Sequence, residues 1–336
     1  MQITDKLRRQ NKNTNIYIIA IFIVALLLGF AYVILFAQFK LSVDAIEYDN
    51  LGWNLSQGAG YKIEQNIPDV TREPIYPFFL SIIYSIFGHS YLAVRLMQAI
   101  INAFICLLIY FIGKETLGIK AGLIAAFIAA IYPAFIAYTG YILTETVFTF
   151  LLALAIFSLI KAVKQGDFIW YIIAGFTLGI AILCKAVLIA FLFFVFIAII
   201  LISKLDKKML AGLFLMGFIT LVTIAPWIVR NYKVFHTFVP IRTGTGFNLW
   251  FGSYLPWNGQ NLAGRGGYPE IRVKFIETEP LKSLIKGLSP IEADRVLISE
   301  GMKNIKQNPA GYIKLSLKRI PKLWIHPIGE ELIQKR

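Results

Sequence analysis

Between Asp44 and Pro77 the chain reads DAIEYDNLGWNLSQGAGYKIEQNIPDVTREPIYP, placing six carboxylates in 34 residues: Asp44, Glu47, Asp49, Glu64, Asp69 and Glu73. The rest of the 336-residue sequence is greasy, with 57% apolar and 15% charged residues and a mean hydropathy of +0.67. A carboxylate beside an apolar wall can take the proton from an acceptor hydroxyl while that oxygen attacks an electrophilic carbon. Partial burial against the wall would tune such a base, and Asp44 is the first candidate. Asp44 and Glu47 also have the spacing of a capping box, an N-cap acid with glutamate three residues on. The two roles are compatible, because a cap holds its side chain in place.

Other polar groups stand out against the apolar background. Arg72-Glu73-Pro74 lies where the loop returns to apolar sequence. It reads either as an interfacial ion pair of little worth or as a phosphate-facing guanidinium held by its neighbour. Glu145 in GYILTETVF and Lys185 in ILCKAVL fall at the edges of apolar runs. Ionisable groups there are functional candidates, with snorkelling of the lysine as the plainer alternative. Arg230 and Asn231, in APWIVRNYKVF, mark the exit from the last long apolar run, where arginine serves as a headgroup contact or a phosphate clamp. The glycines of TGTGF follow no strand and precede no evident helix, which argues against a nucleotide-binding loop; Asn248 behind them is a weaker candidate. His89, His236 and His326 show no ligand spacing, and Cys106 and Cys184 lie inside apolar runs as small core residues.

The elements that must position these groups are membrane helices. Recurrent runs of 18 or more apolar residues identify an all-α polytopic membrane protein. The formal charge of +14 sits in short clusters between those runs and near the C-terminus, without a nucleic-acid-binding motif. It is assigned to topology and anionic lipid headgroups. Residues 1–15 carry four basic residues and one acid, followed by an apolar run from Ile16 to Phe39 that is too long for a signal-peptide core. This is a retained anchor with a cytoplasmic start. A helix then begins at Asp44 and stops before Gly58, with Asp44, Tyr48, Leu51 and Leu55 on one face, as an amphipathic helix along the interface. The segment 74–88 is short for a span, and the parity of the basic turns makes it a half-inserted or surface helix. The expected spans are about 16–39, 95–113, 121–140, 142–160, 168–184, 186–203 and 209–227. The transmembrane domain is thus 16–227, with the acidic loop at 40–94. The remainder, 228–336, carries 17 lysines and arginines against eight acids and is extracytoplasmic, mixed or irregular, with helices near 269–286 and 290–307 and a weakly apolar segment near 312–328.

The order of DAIEYDNLGWNLSQGAGY, TREPIYPFFLSIIYSIFG, RLMQAIINAFICLLIYFIG, YILTETVF, APWIVRNYKVF and PIRTGTGFNLWFG closely resembles the GT-C-type membrane glycosyltransferases of glycosyltransferase family 39. These are relatives of the dolichyl-phosphate-mannose protein mannosyltransferases and, more distantly, of the lipid A aminoarabinose transferases. The resemblance runs from about 16 to 325 and implies transfer of a sugar from a polyprenyl-phosphate carrier to an acceptor outside the cytoplasm. Its first-loop aspartate falls on Asp44, its later acidic position on Glu145, the polar pair before proline on Arg72 and Glu73, and a basic position on Lys185. Glu47, Tyr48, Tyr76, Arg230 and Asn231 complete the implied substrate-binding set. Family members continue into further membrane helices, whereas this sequence stops at Arg336.

The chemistry so implied is a single displacement with inversion, with Asp44 as base and basic groups stabilising the departing phosphate. A phosphate leaving group needs no general acid, unlike the paired carboxyls of glycosidases. The donor class requires no cofactor, although the clustered acids offer oxygen ligands to a divalent metal. The expected partners are the polyprenyl-phosphate sugar, an extracytoplasmic acceptor and membrane lipids, with the plasma membrane as location and no nucleic acid. Two other classes compete: a transporter or lipid-linked-sugar flippase, with Glu145 and Lys185 lining a pathway, and an inactive scaffold that keeps the fold.

Overall fold

The computed structural model describes residues 2–37, 41–64, 67–190, 207–255 and 281–325. They form two compact units. The first comprises Met1–Phe39, Tyr48–Pro68 and Glu73–Ile241; the second comprises Lys40–Glu47, Asp69–Arg72 and Arg242–Arg336. Helix α2, Val43–Ser56, therefore contributes its first turn to the second unit and the rest to the first.

Where described, the first unit is helical apart from a small hairpin. Its helices are α1 (Gln2–Leu35), α3 (Ile75–Phe87), α4 (Tyr91–Leu117), α5 (Ile119–Ile131), α6 (Pro133–Tyr138), α7 (Glu145–Gln165), α8 (Phe168–Cys184) and α9 (Lys207–Phe235). Strands β1 (Lys62–Glu64) and β2 (Ile67–Pro68) pair antiparallel, with Lys62 opposite Pro68. The local sequence accounts for the boundaries. Ser90 caps α4 by accepting from the Ala93 N–H, and α4 ends at Gly118, whose φ of 96° suits a residue without Cβ. Pro133 opens α6, where its missing N–H is not needed, so the expected 121–140 span is broken at Tyr132.

Four described helices are long and apolar enough to cross a membrane: Thr14–Leu35, Tyr91–Leu117, Glu145–Gln165 and Lys207–Phe235. Ile75–Phe87, Ile119–Ile131 and Phe168–Cys184 are apolar but shorter. At a rise of about 1.5 Å per residue, the 13 residues of α3 reach about 20 Å, short of a hydrocarbon core of about 30 Å. The expected span 186–203 lies mostly outside the described residues.

Close helix contact in this unit relies on small residues, as it does where lipid tails supply no hydrophobic drive between helices. A Cβ at Gly175 of α8 would stand 2.4 Å from the Met216 carbonyl oxygen of α9. Helix α2 enters the core through Leu51, fully buried with Tyr61, Leu178, Ile182 and Trp227, while Leu55 packs against the same cluster. The face that reads as amphipathic in sequence is thus packed on protein over these positions.

The second unit contains α10 (Thr245–Ser253), α11 (Leu281–Ile285), α12 (Pro290–Gln307) and α13 (Pro309–Ile325). It is helical where described; the expected helix at 269–286 is seen only as α11, since 256–280 lie outside the described residues. Helix α12 opens with a full capping box between Ser289 and Glu292, and the Ser289 hydroxyl holds the Glu292 carboxyl below the ordinary carboxylate range. Trp250, Leu281 and Leu297 form the small core, with Phe247, Phe251 and Tyr254 packed against it.

The α8–α9 contact makes a testable contrast. Gly175→Ala should destabilise the purified protein by about 1–3 kcal/mol, because a backbone oxygen blocks the methyl. Gly217→Ala on α9 meets nothing within 4 Å and should be neutral or stabilising by about 0.5–1 kcal/mol. Thermal unfolding of both variants in detergent gives the comparison, and equal losses would disprove the packing argument.

Candidate active site

Asp44, Glu47 and Arg72 converge in the second unit. Arg72 Nη2 donates to Asp44 Oδ1 at 2.5 Å and Nε donates to Glu47 Oε2 at 2.6 Å. The Arg72 side chain is 10% exposed, Glu47 21% and Asp44 56%. The sequence expectation of an Asp44 cap is not what forms: helix α2 starts one residue earlier, and the Ala45 N–H donates to Ser42 Oγ. Nor does an apolar wall bury Asp44; a guanidinium holds it while its carboxylate stays reachable. Arg72 is likewise held by Asp44 and Glu47, with Glu73 turned to a different task.

The segment carrying Arg72 is fixed on both sides. Asp69 folds it into a turn, accepting at Oδ2 from the Thr71 and Arg72 N–H groups and at Oδ1 from the Thr71 hydroxyl. Burial pushes the Asp69 carboxyl above the ordinary carboxylate value despite those hydrogen bonds. The Thr243 N–H donates to the Val70 carbonyl and Arg242 Nη1 donates to the Thr71 carbonyl. Arg242 was not anticipated from sequence, since its partner lies 171 residues away.

The glycine-rich stretch beside it also differs from expectation. Helix α10 starts at Thr245, directly after Gly244, and Asp294 of α12 fills its N-terminus. Asp294 Oδ1 accepts from the Gly244 and Gly246 N–H groups at 2.8 and 2.7 Å. A Cβ at Gly246 would lie 2.1 Å from the Asp294 carbonyl oxygen, so glycine is required by the approach of α12.

In the first unit a second polar group forms around α7 and α8. Lys185, at the C-terminal end of α8, sets Nζ 3.0 Å from Glu145 Oε1 at the first residue of α7. Glu73, 4% exposed, accepts the Ala186 N–H at 3.1 Å, so it secures the turn that presents Lys185. Tyr76 is fully buried and donates to Gln98 Oε1. Tyr48 stacks edge-on against Tyr76 at 5.3 Å. Arg230 is boxed by the rings of Tyr61, Trp227 and Phe235 at 4.8–5.4 Å and donates to Asn231 Oδ1 and the Tyr61 carbonyl. Asn231, fully buried, donates to the carbonyls of Val239 and Ile241 and so folds the chain back after α9. Tyr76 and Asn231 are therefore interior struts in their contacts.

Asp49 is the polar residue whose role the sequence conceals. It is 5% exposed and accepts from the hydroxyls of Tyr84 and Tyr91, with His89 Nε2 2.8 Å away. His89 stacks on Trp53 at 4.7 Å. This cluster ties α2 to α3 and α4. Among the described residues no group of three or more His, Cys, Asp or Glu is placed to hold a metal ion.

Two outcomes follow from this geometry. The Glu145–Lys185 pair is about one-third exposed at both ends, so a double-mutant cycle of Glu145→Gln and Lys185→Met should give a coupling of about 0.2–1 kcal/mol. Additive losses would show that the pair does not interact. Because the folded Asp69 carboxyl is raised from 3.8, its stabilising contribution is present below that value and fades as pH rises through the folded value. Wild type should thus lose stability relative to Asp69→Asn over that rise, as read from denaturant midpoints at stepped pH.

Comparison with known proteins agrees with this architecture. The sequence profile of the family described as dolichyl-phosphate-mannose-protein mannosyltransferase matches residues 69–229, under half of the chain. Two Bacillus subtilis proteins whose names call them mannosyltransferases, YycA and YkcB, are 30% identical over 157 residues and 33% identical over 134 residues. Those alignments cover 45% and 38% of this chain but only 22% and 19% of the relatives, so the match spans about a fifth of their length. Among solved structures, the oligosaccharyltransferase of Archaeoglobus fulgidus in its apo form superposes with a TM-score of 0.52 at 18% identity, over 84% of this chain and 38% of that one. The same organism's AglB, in complex with an inhibitory peptide and a dolichol-phosphate, gives 0.54 at 17% identity over 94% and 40%. The chain accordingly has a GT-C-type fold, and its sequence is similar to the dolichyl-phosphate-mannose-protein mannosyltransferase family across the acidic loop's end and the helices that follow.

Proposed function

We propose that this chain carries the catalytic base of a membrane glycosyltransferase that moves a sugar from a polyprenyl-phosphate donor to an acceptor hydroxyl. The observation that carries the reading is Asp44, a carboxylate 56% exposed yet held at 2.5 Å by a guanidinium that is itself buried. A base must be reachable by its substrate and fixed in direction, and the Arg72 contact gives both. In the proposed step the acceptor oxygen bonds to the anomeric carbon as its proton passes to Asp44. The bond from that carbon to the phosphate oxygen breaks, its electron pair leaving with the lipid phosphate, and the anomeric centre inverts.

The geometry refines the assigned roles. Arg72 is engaged by two carboxylates, so we assign it to positioning Asp44, with Glu47 balancing its charge. Within the first unit, Lys185, a point charge steadied by Glu145, and Arg230, a rigid plane framed by aromatics, are the candidate phosphate contacts. The mannosyltransferase names of the relatives and the dolichol-phosphate in the AglB complex support a lipid-phosphate sugar donor. The reading places the site on the extracytoplasmic side of the plasma membrane.

The test is performed in cells. Deletion of the gene should cause a carrier-linked sugar to accumulate, and wild type should clear it. Asp44→Asn should leave folding intact and lower transfer by about 10²-fold or more. A variant that clears the lipid-linked sugar as fast as wild type would refute the assignment of the base.

A further inference from the structure

Helix α13 presents a face that a water-exposed helix does not normally carry. Ile313, Leu317 and Ile320 are 57%, 60% and 50% exposed and stand at i, i+4 and i+7, on one side of the helix. Among the described residues nothing covers them. Lys314 and Lys318 are also exposed and border the stripe on one flank. The opposite side is occupied: Tyr312, Leu315, Ser316 and Arg319 are half-buried, and Arg319 Nη1 donates to the Gly252 carbonyl at 2.8 Å, fastening α13 to the end of α10. The stripe is therefore held outward by the fold of its own unit.

The neighbouring α12 shows what a solvated surface looks like in this unit, with Lys303 and Glu300 paired across one turn. Helix α13 has no such balance. Its 17 residues, PAGYIKLSLKRIPKLWI, contain four basic residues and no acid. Four cations over that length bar it from crossing a bilayer. An apolar stripe flanked by lysines fits the plane of a bilayer surface instead, with side-chain carbons among the acyl chains and ammonium groups among the headgroups. The one-signed charge selects an anionic surface.

We propose that α13 docks on an anionic lipid surface through Ile313, Leu317 and Ile320, with Lys314 and Lys318 at the headgroup phosphates. The argument is independent of the transferase reading, since it uses neither Asp44 nor the polar group around Lys185.

The test uses the full chain reconstituted into vesicles of phosphatidylcholine alone or with phosphatidylglycerol. Spin labels are placed singly at Ile313→Cys and Leu317→Cys, with Lys303→Cys, at an exposed position of α12, as a solvated reference; the native Cys106 and Cys184 are buried. In the anionic vesicles, the ratio of collision with dissolved oxygen to collision with a water-soluble nickel chelate should be severalfold higher at the stripe than at the reference. Lys314→Gln with Lys318→Gln should reduce that excess. Three results would overturn the proposal: nickel access equal to the reference in both lipids, labels shielded from both relaxants by a protein cover, or the same oxygen preference without anionic lipid.

Discussion

Arg72 has a side chain only 10% exposed, and a buried guanidinium is tolerable only where anions and acceptors meet its donors. That requirement organises the start of the acidic loop. Two carboxylates three residues apart on the first turns of α2 answer two nitrogens of one fork, which sets the rotation of the helix about its axis. The two acids are not equivalent, because Glu47 lies deeper than Asp44. Glu47 is half-buried against the cation, and Asp44 keeps an exposed carboxylate.

The same constraint disperses the remaining acids. Asp49 gathers two phenols and an imidazole, Asp69 ties its own turn, and Glu73 accepts a backbone N–H beyond α8. What looks in sequence like a pool of negative charge is a set of separate joints: Asp49 and Glu73 close contacts between elements distant along the chain, and Asp69 closes a local turn. A loop of this kind cannot be a loose tether. Asp49, Asp69, Arg72 and Glu73 are buried and hydrogen-bonded within it.

Much of the helical layout was legible because apolar runs report helix existence directly. The helix after Val43, the short helix at Ile75 and the helix from Pro290 to Gln307 all fall within a residue or two of their sequence positions. Partner choice was not legible. Nothing local says that Arg72 turns from its neighbour Glu73 toward residues 25 and 28 positions earlier. The helix after Gly244 escaped notice because the carboxylate that caps it, Asp294, lies 50 residues on. Asp44 looked like a cap because its spacing is right, but Ser42 lies two residues earlier and takes the role. The break at Tyr132 was readable in principle, as Pro133 was in plain view.

Three basic residues, Arg72, Lys185 and Arg230, differ in how much of their shape is used. Arg72 engages two carboxylates through two nitrogens of its plane, and Arg230 lies against three aromatic rings. Lys185 meets Glu145 through a single nitrogen. Natural variation should therefore be uneven: lysine and arginine can exchange at 185, where a point charge suffices, but not at 72 or 230, where a flat fork is needed. A substitution table that treats the two amino acids as synonyms would overrate distant relatives carrying lysine at either of those positions.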